Sequence, residues 1–240
     1  MAKPPFDPKD SLEALLHTAQ ARFGEVHFQQ MELAGGPLDV LQIKDMPGYI
    51  DKLIARAGAK GQVRLPLWAK IWPCCMVQAM FLEKCPVVAD GRYLEIGAGV
   101  GLAGLALARR GVRVMITDLE PDAMLFCRIN ALRNGLEDRV DLRVVDFTRD
   151  RLDTTFDGIL GCEVLFRAQM FAPLRNFLGV HLKERPDAEV VLGTDGNRES
   201  TPFFQAASAE YDIMRRDVPI TDLENGERKT ASLFRMRRKA

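Results

Sequence analysis

The run Y-L-E-I-G-A-G-V-G-L-A-G-L-A-L-A-R-R-G-V-R-V-M-I-T-D, residues 93 to 118, constrains this chain more than any other stretch. Tyr93 to Ile96 is a short apolar run ending in glycines, and Gly101 to Arg110 has the Leu/Ala content of a helix that Gly111 can close. Val112 to Thr117 is rich in β-branched residues and leads into Asp118, so the unit predicts β-α-β with an acid at the tip of the second strand. Gly97, Gly99 and Gly101 let backbone approach a ligand closely, and Asp118 can accept hydrogen bonds from ribose hydroxyls. The expected ligand is nucleotide-like.

Two glycine registers overlap here. Gly99, Gly101 and Gly104 satisfy G-x-G-x-x-G, the dinucleotide fingerprint, with Asp118 near the customary spacing of about 20 residues. Gly97, Gly99 and Gly101 instead give E-x-G-x-G-x-G with Glu95, which resembles the first motif of seven-strand S-adenosylmethionine-dependent methyltransferases. The second register accounts for one more residue: a carboxylate inside a strand needs a partner, and the resemblance associates Glu95 with the methionine end of that cofactor.

The 240 residues suffice for one α/β domain with an extension, and 33 basic against 33 acidic residues remove any global attraction for phosphate backbones or anionic membranes. Nucleic acid is therefore not the favoured partner. The start, M-A-K-P-P-F-D-P-K-D, lacks the apolar centre of a signal peptide, and no run reaches the ~18 apolar residues of a membrane span. A cytoplasmic protein is expected. Cys74, Cys75, Cys85, Cys127 and Cys162 contain no C-x-x-C, which predicts reduced thiols in structural or surface roles. With only His17, His27 and His181 beside them, no metal site is expected.

Asp10 or Ser11 can cap a helix through about Arg22, followed by a hairpin of Val26–Leu33 and Leu38–Ile43 around Gly35-Gly36 and a helix near Tyr49–Ala57. These elements form an extension, residues 1–61, packing on a main domain of residues 62–240. Trp68 and Trp72 precede Pro73, which suits the first turn of a helix, and the two indoles can line a pocket mouth.

The order W-A-K-I-W-P, helix, glycine motif resembles a methyltransferase subgroup containing protein-lysine methyltransferases that act on chaperones and on electron-transfer flavoprotein. The resemblance runs from about Leu65 to Gly196. It implies that Trp72 lies at the cofactor with Gly97, Ala98 and Gly99, and that Asp146, at the tip of the strand Val140–Val145, contacts the adenine amine. A turn-forming role explains Asp146 as well. The strand Phe156–Cys162 leads into E-V-L-F, which fits the subgroup pattern [DE]-x-x-[YF] with Glu163 and Phe166, and Cys162 joins the cofactor-binding candidates.

Asn130 and Asn134 read as polar positions on a helix from Pro121. The remaining chain predicts helices at 170–183 and 201–209, a strand at 189–193 and an antiparallel pair at 211–218 and 230–236. Arg235, Arg237, Arg238 and Lys239 read as a solvated edge. The turn T-D-G-N-R-E-S, residues 194 to 200, resembles a Gly-and-Arg turn of the flavoprotein-directed members, with Asn197 before Arg198 and without their Pro.

The fold expected is Rossmann-like α/β, a mostly parallel seven-strand sheet with an antiparallel last strand. The function expected is methyl transfer from S-adenosylmethionine to a lysine amine on a protein, without metal, Glu163 orienting the amine and Phe166 and Trp68 adding cation–π attraction. A small-molecule N- or O-methyltransferase, a nicotinamide-dependent oxidoreductase and a non-catalytic binding module remain as alternatives.

Overall fold

In a computed structural model that describes residues 4–57, 61, 63–221 and 226–239, the apolar run before the glycines is β3 (Arg92–Ile96), and the chain beyond it alternates strand and helix. An N-terminal segment comes first: α1 (Leu12–Phe23), β1 (Val26–Met31), β2 (Leu38–Ile43) and α2 (Met46–Ala57). After it come α3 (Pro73–Leu82), β3, α4 (Leu102–Ala108), β4 (Arg113–Asp118), α5 (Pro121–Arg133), β5 (Val140–Val144) and β6 (Gly158–Cys162). Then follow α6 (Phe171–His181), β7 (Glu189–Asp195), α7 (Thr201–Ala207), β8 (Tyr211–Thr221) and β9 (Arg228–Arg238).

Seven strands pair in the order β5-β4-β3-β6-β7-β9-β8. The first five run parallel, and β9 lies antiparallel between β7 and β8. The strand order reverses between β3 and β6, since β4 and β5 lie to one side and β7 to the other. In an open α/β sheet the crevice at the carboxyl ends of such a pair is where ligands bind.

Strand alternation sorts β3 into two faces. Tyr93 packs into the apolar cluster that includes residues of α1, the hairpin, α4 and α5, whereas Leu94 and Ile96 pack into the one that includes residues of α6 and α7. Glu95 shares the first face, which sets its carboxylate against α4. The N-terminal segment belongs to the same core: Leu15, Ala19, Phe23, Val40 and Leu41 are buried in one cluster with Phe126 and Ile129 of α5.

Most element boundaries match the sequence reading within two or three residues. The strand expected from Phe156 starts at Gly158, with Phe156 held only by a single bridge to Leu182. The helix expected near Tyr49 starts at Met46, and β8 and β9 are longer than their patterns indicate. The domain boundary expected at residues 61 and 62 falls beside residue 62, which lies outside the described residues. Among the described residues no helix is long and apolar enough to cross a membrane.

Candidate active site

The turn after β3 holds Gly97, Gly99 and Gly101 at φ of +59°, +56° and +79°, a region that side-chain-bearing residues avoid. A Cβ on Gly99 would stand 2.6 Å from the Trp68 carbonyl oxygen, so the turn is packed as well as bent. Ala98 is tied in by its N–H, which donates to Thr117 O at 3.0 Å.

Gly104 has a different reason to be glycine. Its N–H donates to Glu95 Oε2 at 2.9 Å, and any side chain there would strike that carboxylate and Ile116. The third glycine of the dinucleotide fingerprint is thus occupied by Glu95, the residue that fingerprint leaves unexplained. Burial pushes the Glu95 carboxyl well above the usual carboxylate range; the charge of Cys75 adds to this, the Gly104 N–H opposes it, and Asp118 raises it a little more. Such a group is suited to meet a cation.

Asp118 ends β4 as expected and is 8% exposed. Its Oδ2 accepts from Gly99 N at 2.8 Å and its Oδ1 from Glu120 N at 2.9 Å, which fixes the carboxylate at the lip of the glycine turn. Burial raises its pKa against those two N–H donors. Each oxygen keeps a lone pair for a hydroxyl.

Asp146 forms a turn. Its Oδ1 accepts from Thr148 N at 3.0 Å and from Thr148 Oγ1 at 2.5 Å, while Oδ2 pairs with Arg149 Nε at 3.0 Å.

The two tryptophans part company. Trp68, half-buried, packs edge-on against Phe126 and Phe23, with ring centroids 5.0 and 5.7 Å away, at the margin of the core. Trp72 caps α3 and donates from Nε1 to Leu67 O at 3.2 Å. It packs against an apolar cluster containing Cys74, Cys162 and Ala231.

Across the crevice, β6 ends at Cys162 and Glu163 follows in the left-handed region at φ +55°. The sequence reading left the Glu163 carboxylate free to face an amine; in the structure it is already engaged. Its Oε1 accepts from Asp195 N at 2.5 Å and from Cys74 Sγ at 3.1 Å, and its Oε2 pairs with Arg198 Nε at 2.9 Å. Arg198 was visible in sequence as part of the Gly-and-Arg turn at 194–200 but not as the partner of Glu163. Oε2 retains acceptor capacity beyond that bond. Phe166 is exposed, with the Arg167 guanidinium 5.5 Å from its ring centre.

Three of the five thiols come together in the fold, a cluster that the sequence reading did not anticipate. Cys74 and Cys75, in the first turn of α3, meet Cys162 at the end of β6, and the three sulfurs all lie within 4.8 Å of one another. Spacing of 88 residues conceals this, because only the packing of α3 on β6 brings the ends together. Hydrogen bonds from Cys162 and Cys74 pull the Cys75 thiol down to about 5. The basic end is likewise more than a solvated edge: Arg235 and Arg237 both pair with Glu189, and Arg238 donates to Gly179 O and Leu182 O.

A family model described as lysine methyltransferase matches residues 63–210. Protein N-lysine methyltransferase METTL21A of Xenopus tropicalis is 32% identical over 116 residues, covering 46% of this chain and 54% of that protein. The chain therefore spans about half the length of the METTL21A relatives it matches. Histone-arginine methyltransferase METTL23 of Homo sapiens is 32% identical over 163 residues, 64% of this chain and 84% of that one. Among solved structures, a putative RNA methyltransferase from Pyrococcus horikoshii shares the fold at TM-score 0.57 and 14% identity, covering 82% of this chain and 98% of its own. The ribosomal protein L11 methylase of Lactobacillus delbrueckii subsp. bulgaricus does so at TM-score 0.52 and 23% identity, covering 68% and 77%.

Proposed function

Since the chain belongs to the lysine methyltransferase family, we propose that it is an S-adenosylmethionine-dependent enzyme that methylates a lysine amine on a protein. The observation that carries this is the pairing of two sets of groups across the β3/β6 switch: Glu95, the glycine turn and Asp118 on one side, Glu163 with Phe166 on the other. We take the cytoplasm as its compartment, a reading supported by five free cysteines.

The donor set fits the cofactor. Glu95, whose pKa burial raises, would be drawn toward its charged form beside an ammonium such as the methionine amine; Asp118 has lone pairs for the ribose hydroxyls; and Gly97, Ala98 and Gly99 offer backbone with little side-chain bulk. When bound, S-adenosylmethionine supplies a methyl group on a positively charged sulfur. Asp146, committed to its own turn, supports an adenine contact least.

The acceptor side must favour a neutral amine, and holding lysine neutral at pH 7 costs about 4.6 kcal/mol. A lone carboxylate would raise that cost by attracting the ammonium. Paired with Arg198, Glu163 presents little net charge, so the remaining acceptor capacity of Oε2 can take a hydrogen bond from the amine and aim it while the guanidinium disfavours the protonated form. Phe166, three residues on, offers an exposed ring. Alignment supplies much of the acceleration in such a displacement.

The test combines binding and transfer. S-adenosylmethionine or its demethylated product at a hundredfold excess over Kd should stabilise the protein by about 2.7 kcal/mol, visible as a thermal shift, and NAD should not. Labelled methyl should pass to a protein, with mass spectrometry locating it on lysine. Glu163→Gln should cut transfer at least about tenfold while cofactor affinity stays within a few-fold, because it loses one charge-assisted bond worth about 1.5 to 3 kcal/mol. A shift with NAD alone would sink the cofactor reading. Methyl found on arginine, the residue named for the METTL23 relatives, would move the acceptor class.

A further inference from the structure

We propose that Cys74, Cys75 and Cys162 form a binding site for one thiophilic divalent cation of the zinc class, with the Glu163 carboxylate as fourth ligand. This goes beyond methyl transfer, which requires no metal, and it stands whether or not the chain methylates anything.

Geometry carries it. All three sulfurs lie within 4.8 Å of one another, and Cys74 Sγ and Cys162 Sγ are 2.8 Å apart. Tetrahedral zinc with Zn–S bonds of about 2.3 Å needs sulfurs about 3.8 Å apart, a spacing inside that range and reachable by rotating χ1 of Cys74 or Cys75. Glu163 Oε1, 3.1 Å from Cys74 Sγ, is near enough to be drawn onto an ion held by the sulfurs. Three sulfurs and one carboxylate oxygen complete four-coordination, and thiolates select the softer divalent ions over magnesium or calcium.

The surroundings suit a held ion. Trp72, Val77, Ile220 and Ala231 form an apolar shell around the sulfurs. Arg198 Nε and Asp195 N bind the carboxylate from behind and would fix its orientation as outer-shell donors. Cys74 and Cys75 sit in the first turn of α3 behind Pro73, where the helix dipole favours thiolates. Cys74 and Cys162 are buried, whereas Cys75 is only half-buried and gives the ion a way in. Each thiol that coordinates releases its proton to solvent, so binding one ion should liberate up to about three protons.

The experiment uses the full chain, reduced and stripped of metal, with neither cofactor nor acceptor present, so a failed methyltransferase assignment does not affect it. Cobalt(II) is titrated first as the spectroscopic probe, then displaced by zinc. The expected result is one cobalt per chain with thiolate-to-cobalt charge-transfer absorption in the near ultraviolet and the strong visible bands of a tetrahedral ion, zinc binding with Kd below about 1 μM.

Cys75→Ser, at the half-buried position where folding is least at risk, should weaken binding at least about a hundredfold and reduce the charge-transfer intensity by about a third. Glu163→Gln should keep that intensity and alter the visible bands. Thermal unfolding of each variant confirms a folded chain. Octahedral cobalt spectra without charge transfer, or identical binding by wild type and Cys75→Ser, would overturn the site. Unchanged visible bands in Glu163→Gln would overturn the fourth ligand.

Discussion

Glu95 and Gly104 are nine residues apart in sequence and in contact in the fold, and together they explain why a strand carries a buried acid. Burying that carboxyl destabilises the empty protein wherever the group would be charged in the unfolded chain. Its folded pKa is raised, so the contribution it makes is present below the unfolded value and is lost as pH rises toward the folded one. Glu95→Gln keeps the acceptor for Gly104 N and removes the titration. It should therefore raise the melting temperature of the cofactor-free protein at pH 8, while weakening S-adenosylmethionine binding by about 1.5 to 3 kcal/mol through loss of a charged partner. Thermal scans and calorimetry on one preparation check both halves; a mutant that is less stable and binds as before would put Glu95 outside the site.

At the scale of elements, two asparagines fasten the N-terminal hairpin to the methyltransferase core. Asn130 is fully buried: its Oδ1 accepts from Leu41 N at 2.7 Å and its Nδ2 donates to Val100 O at 2.9 Å. Asn134 brackets Asp39 in the same way, accepting from its N at 3.0 Å and donating to its O at 2.8 Å. Edge groups of β2 that would otherwise be left without partners are satisfied by side chains of α5, and Asn130 also holds the glycine turn at Val100. From sequence both residues read only as polar helix positions, because their partners on β2 lie 89 and 95 residues away and Val100 lies 30 away. Asn130→Ala should cost about 2 to 4 kcal/mol, since it leaves a buried N–H and a buried carbonyl unpaired, and Asn134→Ala less, since water reaches it. Denaturant unfolding of the two variants gives the order, and equal losses would mean that Asn130 has no special role as the link between hairpin and turn.

Across the whole molecule, Asp157 ties the lower edges of three strands together. Its carboxylate accepts from Arg92 N at the start of β3 and pairs with Lys183 and Arg185, while its backbone bonds to Arg92 O and Glu189 N join β6 to β3 and β7. Burial pushes this carboxyl up, but the Lys183 and Arg92 donors outweigh it and hold it below the ordinary aspartate value. A depressed folded pKa gives stability that is complete above the unfolded value of about 3.9 and drains away as pH falls through the folded one. Asp157→Asn should thus be less stable than wild type by about 1.5 to 3 kcal/mol at pH 7, with the gap closing toward pH 3. Urea unfolding at both pH values decides it, and a gap independent of pH would assign the loss to packing.

The sequence by itself determined the strand-glycine-helix unit, the position of Asp118 and the succession of strands and helices along the chain, because those depend on local periodicity and on turn residues adjacent in the chain. It also determined the family, whose motifs are short contiguous strings. Only the tertiary structure decided what those residues touch. Trp68 and Trp72, four residues apart, went to different environments because one sits in the short helix Leu67–Ala69 and the other at the N-cap of α3, one indole meeting Phe126 and the other the thiols. Glu163 found Arg198, and Cys74 and Cys75 found Cys162, because α3 lies across the sheet and the 194–200 turn folds back over β6. Such pairings depend on the relative placement of elements far apart in sequence, and composition or spacing along one chain carries no signal for it.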